Sequence, residues 1–164
     1  MGILIRGGRV IDAATQMDKI ADVYLDGGVI QEVGEKLKIK DKDDRIIDAK
    51  GLAVMPGFVD LHVHFRDPGQ TEKEDIESGS HAAARGGVTT AVAMPNTTPV
   101  IDSPDRANYV KNKAEQVSLI HVLQAGAMTK GELGEELSDI AGMAAAGVPV
   151  LSEDGKSVMK ASLC

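Results

Sequence analysis

The sequence predicts an α/β protein in two parts: a small β module over residues 1–55, then four β/α units over residues 56–164. Three observations predict it. Apolar runs start near residues 58, 88, 118 and 148, each followed by a helical pattern, so the chain repeats about every 30 residues, as right-handed βαβ units do. Before Pro56 the apolar runs are short and broken by Gly-Gly and Asp-Gly, which are hairpin signals. The composition is 43% hydrophobic with only two Phe, two Tyr and no Trp, so the core must be built from Val, Ile, Leu, Ala and Met.

The elements follow in order. "ILIRGGRVID", "ADVYLDGGVIQEVG" and "RIIDAKGLAVMPG" read as strands and tight turns, with "YLDGGVI" the strongest hairpin and "KLKIKDKDDR" a solvated loop. After Pro56, "GFVDLHVHF" reads as a strand, "TEKEDIESGSHAAARGG" as a helix and "VTTAVAMPN" as a strand. "SPDRANYVKNKAEQ" reads as a helix with Ser103 as N-cap and Pro104 at its first position. "SLIHVLQAG" reads as a strand, "ELSDIAGMAAAG" as a helix and "VPVLSEDG" as a strand. Four such units fit half of an eight-stranded barrel or a small open doubly wound sheet. "SVMKASLC" opens a fourth helix with no C-cap glycine or closing strand, so the expectation is an incomplete barrel.

Charge and segment composition exclude several classes. A net charge of −7 and no basic block argue against nucleic-acid and anionic-membrane partners. The early apolar residues alternate with Arg6, Arg9 and glycines instead of forming a signal peptide, and "IAGMAAAGVPVL" is far below the roughly 20 residues of a membrane span. A cytoplasmic location is the expectation. The lone cysteine, Cys164, excludes an internal disulfide and reads as incidental.

Two of the four histidines, His62 and His64, stand at i and i+2 of the first repeat strand, where both side chains project to one face. That spacing suits two imidazoles on one metal, and the pair lies at a strand's C-terminal end, where parallel β/α proteins build active sites. Other strand ends offer Asn96, Thr97 and Thr98 in "MPNTTP", and Glu153 and Asp154 in "SEDG". A carboxylate facing two histidines makes a ligand set suited to Zn²⁺. Arg66, two residues after His64, is placed to grip a substrate carboxylate in a bidentate fork, and Asp67 turns aside. His81 reads as a helix-surface residue and His121 as mid-strand, outside the site. "EKED" and "GELGEEL" read as solvated helix starts, and the methionines at 128, 143 and 159 as core filler.

The stretch "DAKGLAVMPGFVDLHVHFRDPGQTEKEDIESGSHAAARGGVTTAVAMPNTTPV" resembles the N-terminal half of bacterial and archaeal dihydroorotases of the amidohydrolase superfamily, and the resemblance runs over essentially the whole chain. "PGFVDLHVH" is shared with hydantoinases and allantoinases, whereas "HFRDPG" with "MPNT" is more typical of dihydroorotases. The resemblance implies a β module packed with a metal-dependent (β/α)8 barrel of the TIM type. It implies His62, His64 and Asp154 as metal ligands, one or two zinc ions, and Arg66 with Asn96 on the substrate carboxylate. Asp154 stands where many relatives carry a carbamylated lysine; Lys156 and Lys160 lie past the strand end.

The activity implied is reversible, zinc-dependent hydrolysis of the cyclic amide of dihydroorotate to N-carbamoyl-aspartate, in pyrimidine biosynthesis. Two further metal-binding histidines and the proton-shuttling aspartate are implied on later strands, beyond Cys164; after Asp154 the chain has no histidine, aspartate or glutamate. No catalytic residue is therefore assigned within these residues, and isolated activity is not expected. Four barrel strands also leave open parallel edges, so self-association or pairing with a second half is expected. Two other readings are a non-catalytic dihydroorotase-like partner of aspartate carbamoyltransferase and a hydantoinase- or allantoinase-type amidase. Arg66 with Asn96 argues against the latter, whose substrates lack the carboxylate.

Overall fold

The computed structural model of the chain describes residues 1–163; the reading of Cys164 lies outside the described residues. The chain forms two compact units, Met1–Pro56 and Gly57–Cys164.

In the first unit, β1 (Ile3–Asp12), β2 (Met17–Asp26), β3 (Val29–Gly34) and β4 (Arg45–Asp48) form one sheet in the order β3-β2-β1-β4. The β2–β3 hairpin turns at Gly27 and Gly28, with φ of 59° and 78°, the conformation that its Asp-Gly-Gly sequence predicts. The last segment of this unit was expected to form strands and tight turns. It forms β4 and β5 (Ala53–Val54), separated at Gly51 (φ 80°) and both parallel to β1. Val10, Ala21 and Val23 are buried on one face. The charged segment after β3 is irregular, as expected, and is anchored by buried Asp22, which accepts from the N–H groups of Gly7 (2.8 Å) and Leu37 (2.9 Å).

The second unit runs β6 (Phe58–Val63), α1 (Ile76–Arg85), β7 (Val88–Ala93), α2 (Pro104–Val117), β8 (His121–Gln124), β9 (Gly126–Ala127), α3 (Ile140–Ala145) and β10 (Leu151–Ser152). β6, β7 and β8 pair in parallel in that order, and β10 pairs in parallel with β9, immediately beyond β8. The three-stranded sheet thus grows in chain order, the arrangement of consecutive β/α barrel units, and β9 with β10 makes a separate two-stranded sheet. Ile76 from α1, Val110 and Ala107 from α2, and Ile101 fill the core against Ala91 and Ala93 of β7.

Several boundaries differ from the sequence reading, each for a local reason. α1 begins only at Ile76, because Asp75 is its N-cap and accepts from Ser78 N at 2.8 Å; the preceding acidic residues lie in turns. α2 has Ser103 at the N-cap position and Pro104 first, as predicted, although the serine side chain makes no capping bond. α3 is half the predicted length, since Asp139 caps it by accepting from Gly142 N at 2.9 Å and Leu137 is drawn into a bridge with Thr129. The expected fourth helix does not form in the described residues: 156–160 are irregular and Ala161–Leu163 make a 3-10 turn. Met143 is core as predicted, but Met159 is 87% exposed on that irregular segment.

The loop after β6 is fixed by a buried charge. Asp67 Oδ2 meets Lys113 Nζ of α2 at 2.5 Å, and its Oδ1 accepts from the Tyr109 hydroxyl at 3.1 Å. That contact holds the Lys113 ammonium above its ordinary pKa. Removing one partner of a buried pair typically costs about 3–5 kcal/mol, and the partial exposure of Lys113 reduces that. Lys113→Met is therefore expected to destabilise the chain by about 2 kcal/mol in urea unfolding, and an unchanged midpoint would contradict a structural role for the pair.

Candidate metal centre

Parallel strands place their C-terminal ends at one edge of a sheet, and the polar residues of this unit collect there. His62 is in the last turn of β6's pleat, His64 just past its end, and Asp154 two residues beyond β10. His62 Nε2 lies 3.2 Å from Asp154 Oδ1, and His64 Nε2 lies 3.6 Å from Asp154 Oδ2. One ligand atom from each residue lies within 4.8 Å of the others. The two imidazoles meet edge to face with centroids 5.1 Å apart, so neither ring stacks over the other's donor nitrogen. The i, i+2 spacing on a strand therefore does what the sequence predicted: it turns both rings to one side, where a carboxylate from a distant strand meets them.

Asn96, in the loop after β7, completes the cluster. Its Oδ1 lies 3.0 Å from His64 Nδ1, and its Nδ2 donates to Asp154 Oδ2. Pairs of imidazole nitrogens and one carboxylate, partly shielded from water, match the donor chemistry of zinc. The residues present fit such an ion.

Arg66 stands apart from these contacts. β6 ends at Val63, and Arg66 has φ of 59°, so the strand alternation used in the sequence reading does not extend to it. A left-handed backbone at a non-glycine residue is sparsely populated and recurs at functional sites. The Arg66 carbonyl accepts from Gln70 N at 2.9 Å, and its guanidinium has no ion-pair or hydrogen-bond partner among the described residues.

The other polar candidates separate clearly. Glu153 is buried and structural: it accepts from the N–H groups of Met128 (3.0 Å) and Thr129 (3.1 Å) and from the Thr129 hydroxyl. Thr97 is buried and donates to the Pro99 carbonyl at 2.7 Å, while Thr98 is exposed. His81 is exposed on α1, as expected. His121 is not mid-strand: it opens β8 at the end opposite the cluster and is exposed.

"GELGEEL" is not a helix start. Its Glu132 is 4% exposed with a left-handed φ of 54°, and Lys156 Nζ lies 3.8 Å away while donating to the Glu132 carbonyl at 3.0 Å. The glycines on either side, at φ of 61° and 71°, break the helical pattern and turn this carboxylate inward. The cue was the doubled glycine spacing, which the acidic composition masked.

Sequence comparison matches residues 51–164 to a family described as Dihydro-orotase-like. The dihydroorotase of Clostridioides difficile (strain 630) is 50% identical over 161 residues, covering 98% of this chain and 38% of the relative. That of Aquifex aeolicus (strain VF5) is 44% identical over 161 residues, again 98% and 38%. The chain thus spans about 38% of the length of these relatives. Among solved structures, the L-hydantoinase (dihydropyrimidinase) of Arthrobacter aurescens superposes with a TM-score of 0.68 at 27% identity, over 77% of this chain and 28% of that one. A D-hydantoinase from Thermus sp. gives 0.65 at 33% identity, with the same coverage.

The fold is thus the opening portion of an amidohydrolase TIM-type barrel together with a β module. Within that class, the chain belongs to the Dihydro-orotase-like family.

Burial raises the pKa of Glu132, opposed by the charge of Lys156. The native state therefore holds this proton more tightly than the unfolded chain. Its contribution to stability is full below the ordinary carboxyl pKa and is lost as pH rises through the raised one. Glu132→Gln is expected to raise the thermal midpoint at pH 7 and leave it nearly unchanged at pH 4; equal shifts at both pH values in differential scanning fluorimetry would contradict this.

Proposed function

We infer that the chain carries the opening portion of a zinc-dependent dihydroorotase, which reversibly hydrolyses the cyclic amide of dihydroorotate to N-carbamoyl-aspartate in cytoplasmic pyrimidine biosynthesis. One observation carries the reading: His62, His64 and Asp154 converge from two strand ends to a single ligand-sized cluster. The relatives named dihydroorotase, 44% and 50% identical, support the choice of substrate.

In this reading His62 and His64 give Nε2 atoms and Asp154 one carboxylate oxygen to the ion. When bound, zinc supplies Lewis acidity toward the ring carbonyl and toward water. Arg66, whose guanidinium is uncommitted among the described residues, takes the substrate carboxylate in a bidentate fork, with Asn96 as the second residue on that carboxylate in this reading. Its loop is pinned through Asp67 to Lys113 of α2, which would limit the entropy lost on binding. The proton-shuttling carboxylate and two further histidines lie outside these 164 residues on this reading, so the chain alone binds zinc without turning over substrate.

A second reading, a hydantoinase-type amidase, draws on the solved structures that superpose. The uncommitted Arg66 favours dihydroorotate, because a hydantoin ring offers no carboxylate for it to hold. A non-catalytic partner of aspartate carbamoyltransferase would not require the ligand cluster to be intact. β6 pairs with β7 alone, and Val59 and Leu61 on its face opposite His62 are 59% and 71% exposed, so self-association or a covering second half is expected.

The test is zinc affinity by chelator competition, together with a dihydroorotate hydrolysis assay on the purified chain. Wild type should bind zinc, His62→Ala and His64→Ala should each weaken it by about tenfold or more, and turnover should be absent. Zinc affinity indifferent to both substitutions would remove the metal centre, and robust turnover by the 164-residue monomer would overturn its incompleteness.

A further inference from the structure

We propose that Asn96 is a positioning residue for the metal centre: its amide fixes the tautomer of His64, so that the ring presents a bare Nε2 toward Asp154 and the ion. This rests on the metal-centre reading above and deepens it.

One amide makes both contacts. Asn96 lies 3.0 Å through Oδ1 from His64 Nδ1 and donates through Nδ2 to Asp154 Oδ2. A side-chain amide can be turned over, which would exchange its oxygen and nitrogen. Here the exchange is chemically excluded, because it would set the amide oxygen against an acceptor-only carboxylate. With Oδ1 thus directed at His64, only a protonated Nδ1 can form that hydrogen bond.

A neutral imidazole carries one proton, so Nε2 is left with its lone pair. Nε2 is the nitrogen that faces Asp154 at 3.6 Å, the direction in which the ligand atoms converge. The same amide donates to the carboxylate oxygen nearest His64, so one side chain orients two of the three donors. Among the described residues His62 has no such partner: its ring faces Asp154 Oδ1 through Nε2 and is more exposed than that of His64. The two imidazoles are therefore inequivalent: His64 is held at both ring nitrogens, His62 through Nε2.

The sequence reading placed Asn96 on the substrate carboxylate alone. The geometry adds an earlier task, setting the metal ligands before any substrate arrives. Hydrogen-bond partners of metal ligands typically contribute 10–100-fold to metal affinity.

The experiment reads the tautomer directly. Long-range ¹H–¹⁵N correlation spectra of the zinc-free chain, recorded at a pH high enough that the His64 ring is neutral, report which His64 nitrogen carries hydrogen, with His64→Ala supplying the assignment. Zinc dissociation constants are measured in parallel by chelator competition. Wild type should show a protonated Nδ1 and a bare Nε2. Asn96→Ala should lose that preference and weaken zinc binding by about tenfold or more.

An Asn96→Ala chain with the wild-type tautomer, or with altered tautomer but unchanged zinc affinity, overturns the proposal while leaving the metal centre standing. Wild type that binds no zinc, or binds it independently of His62 and His64, removes the metal centre and the proposal with it. If Asn96→Ala does not fold, as judged by circular dichroism, the wild-type tautomer still decides: a bare Nδ1 overturns the proposal.

Discussion

Asp154 is the group on which the second unit's site depends. Its carboxylate faces both imidazoles of the "HVH" stretch and one amide from the loop after β7, although these partners lie 58 or more residues away in sequence. Like charges are absent from its direct contacts, and each partner offers either a donor hydrogen or a donor lone pair. A carboxylate so placed is poorly used as an isolated charge and well used as one corner of a coordination site. The adjacent Glu153 has the opposite fate: it is sealed inside by two backbone N–H groups and a hydroxyl, and it fixes the backbone from which Asp154 projects.

The rest of the unit follows from bringing that carboxylate to the histidines. Consecutive parallel pairing of β6, β7 and β8, with β10 following through β9, brings each strand's C-terminal end to the same edge. Helices α1 and α2 cover one face with small and branched side chains: Ala107 and Val110 pack against Ala91 and Ala93. A core with so few aromatic residues permits close approach between layers. Gly79 shows how tight this is: an added Cβ would meet the Phe65 ring at 2.4 Å. The loops at this edge are pinned separately, by Asp67 on α2 and by Asp102, which pairs with Arg106 and accepts from Gly131 N at 2.8 Å.

Much of this was legible in the sequence, because periodicity reports directly on burial. The alternation of strand and helix patterns gave the β/α order, Gly27-Gly28 gave the hairpin, and the spacing of His62 and His64 gave a shared face. Non-local events were not legible. Nothing near Glu132 signals that Lys156 will face it, and the acidic run around it imitates a solvated helix start. The short α3 depended on Thr129 capturing Leu137, and the exposure of Met159 on a segment that stays irregular. The choice between Glu153 and Asp154 also required the fold. Both carboxylates follow β10, but only one finds backbone donors waiting for it.

The central claim is that His62, His64 and Asp154 form one metal centre. The most direct measurement is X-ray absorption at the zinc edge on the zinc-loaded chain. The account predicts two imidazole nitrogens at about 2.0–2.1 Å and a carboxylate oxygen at about 2.0–2.2 Å, with the imidazole scattering reduced in a His62→Ala chain. A shell of oxygen scatterers alone, unchanged by that substitution, would contradict it.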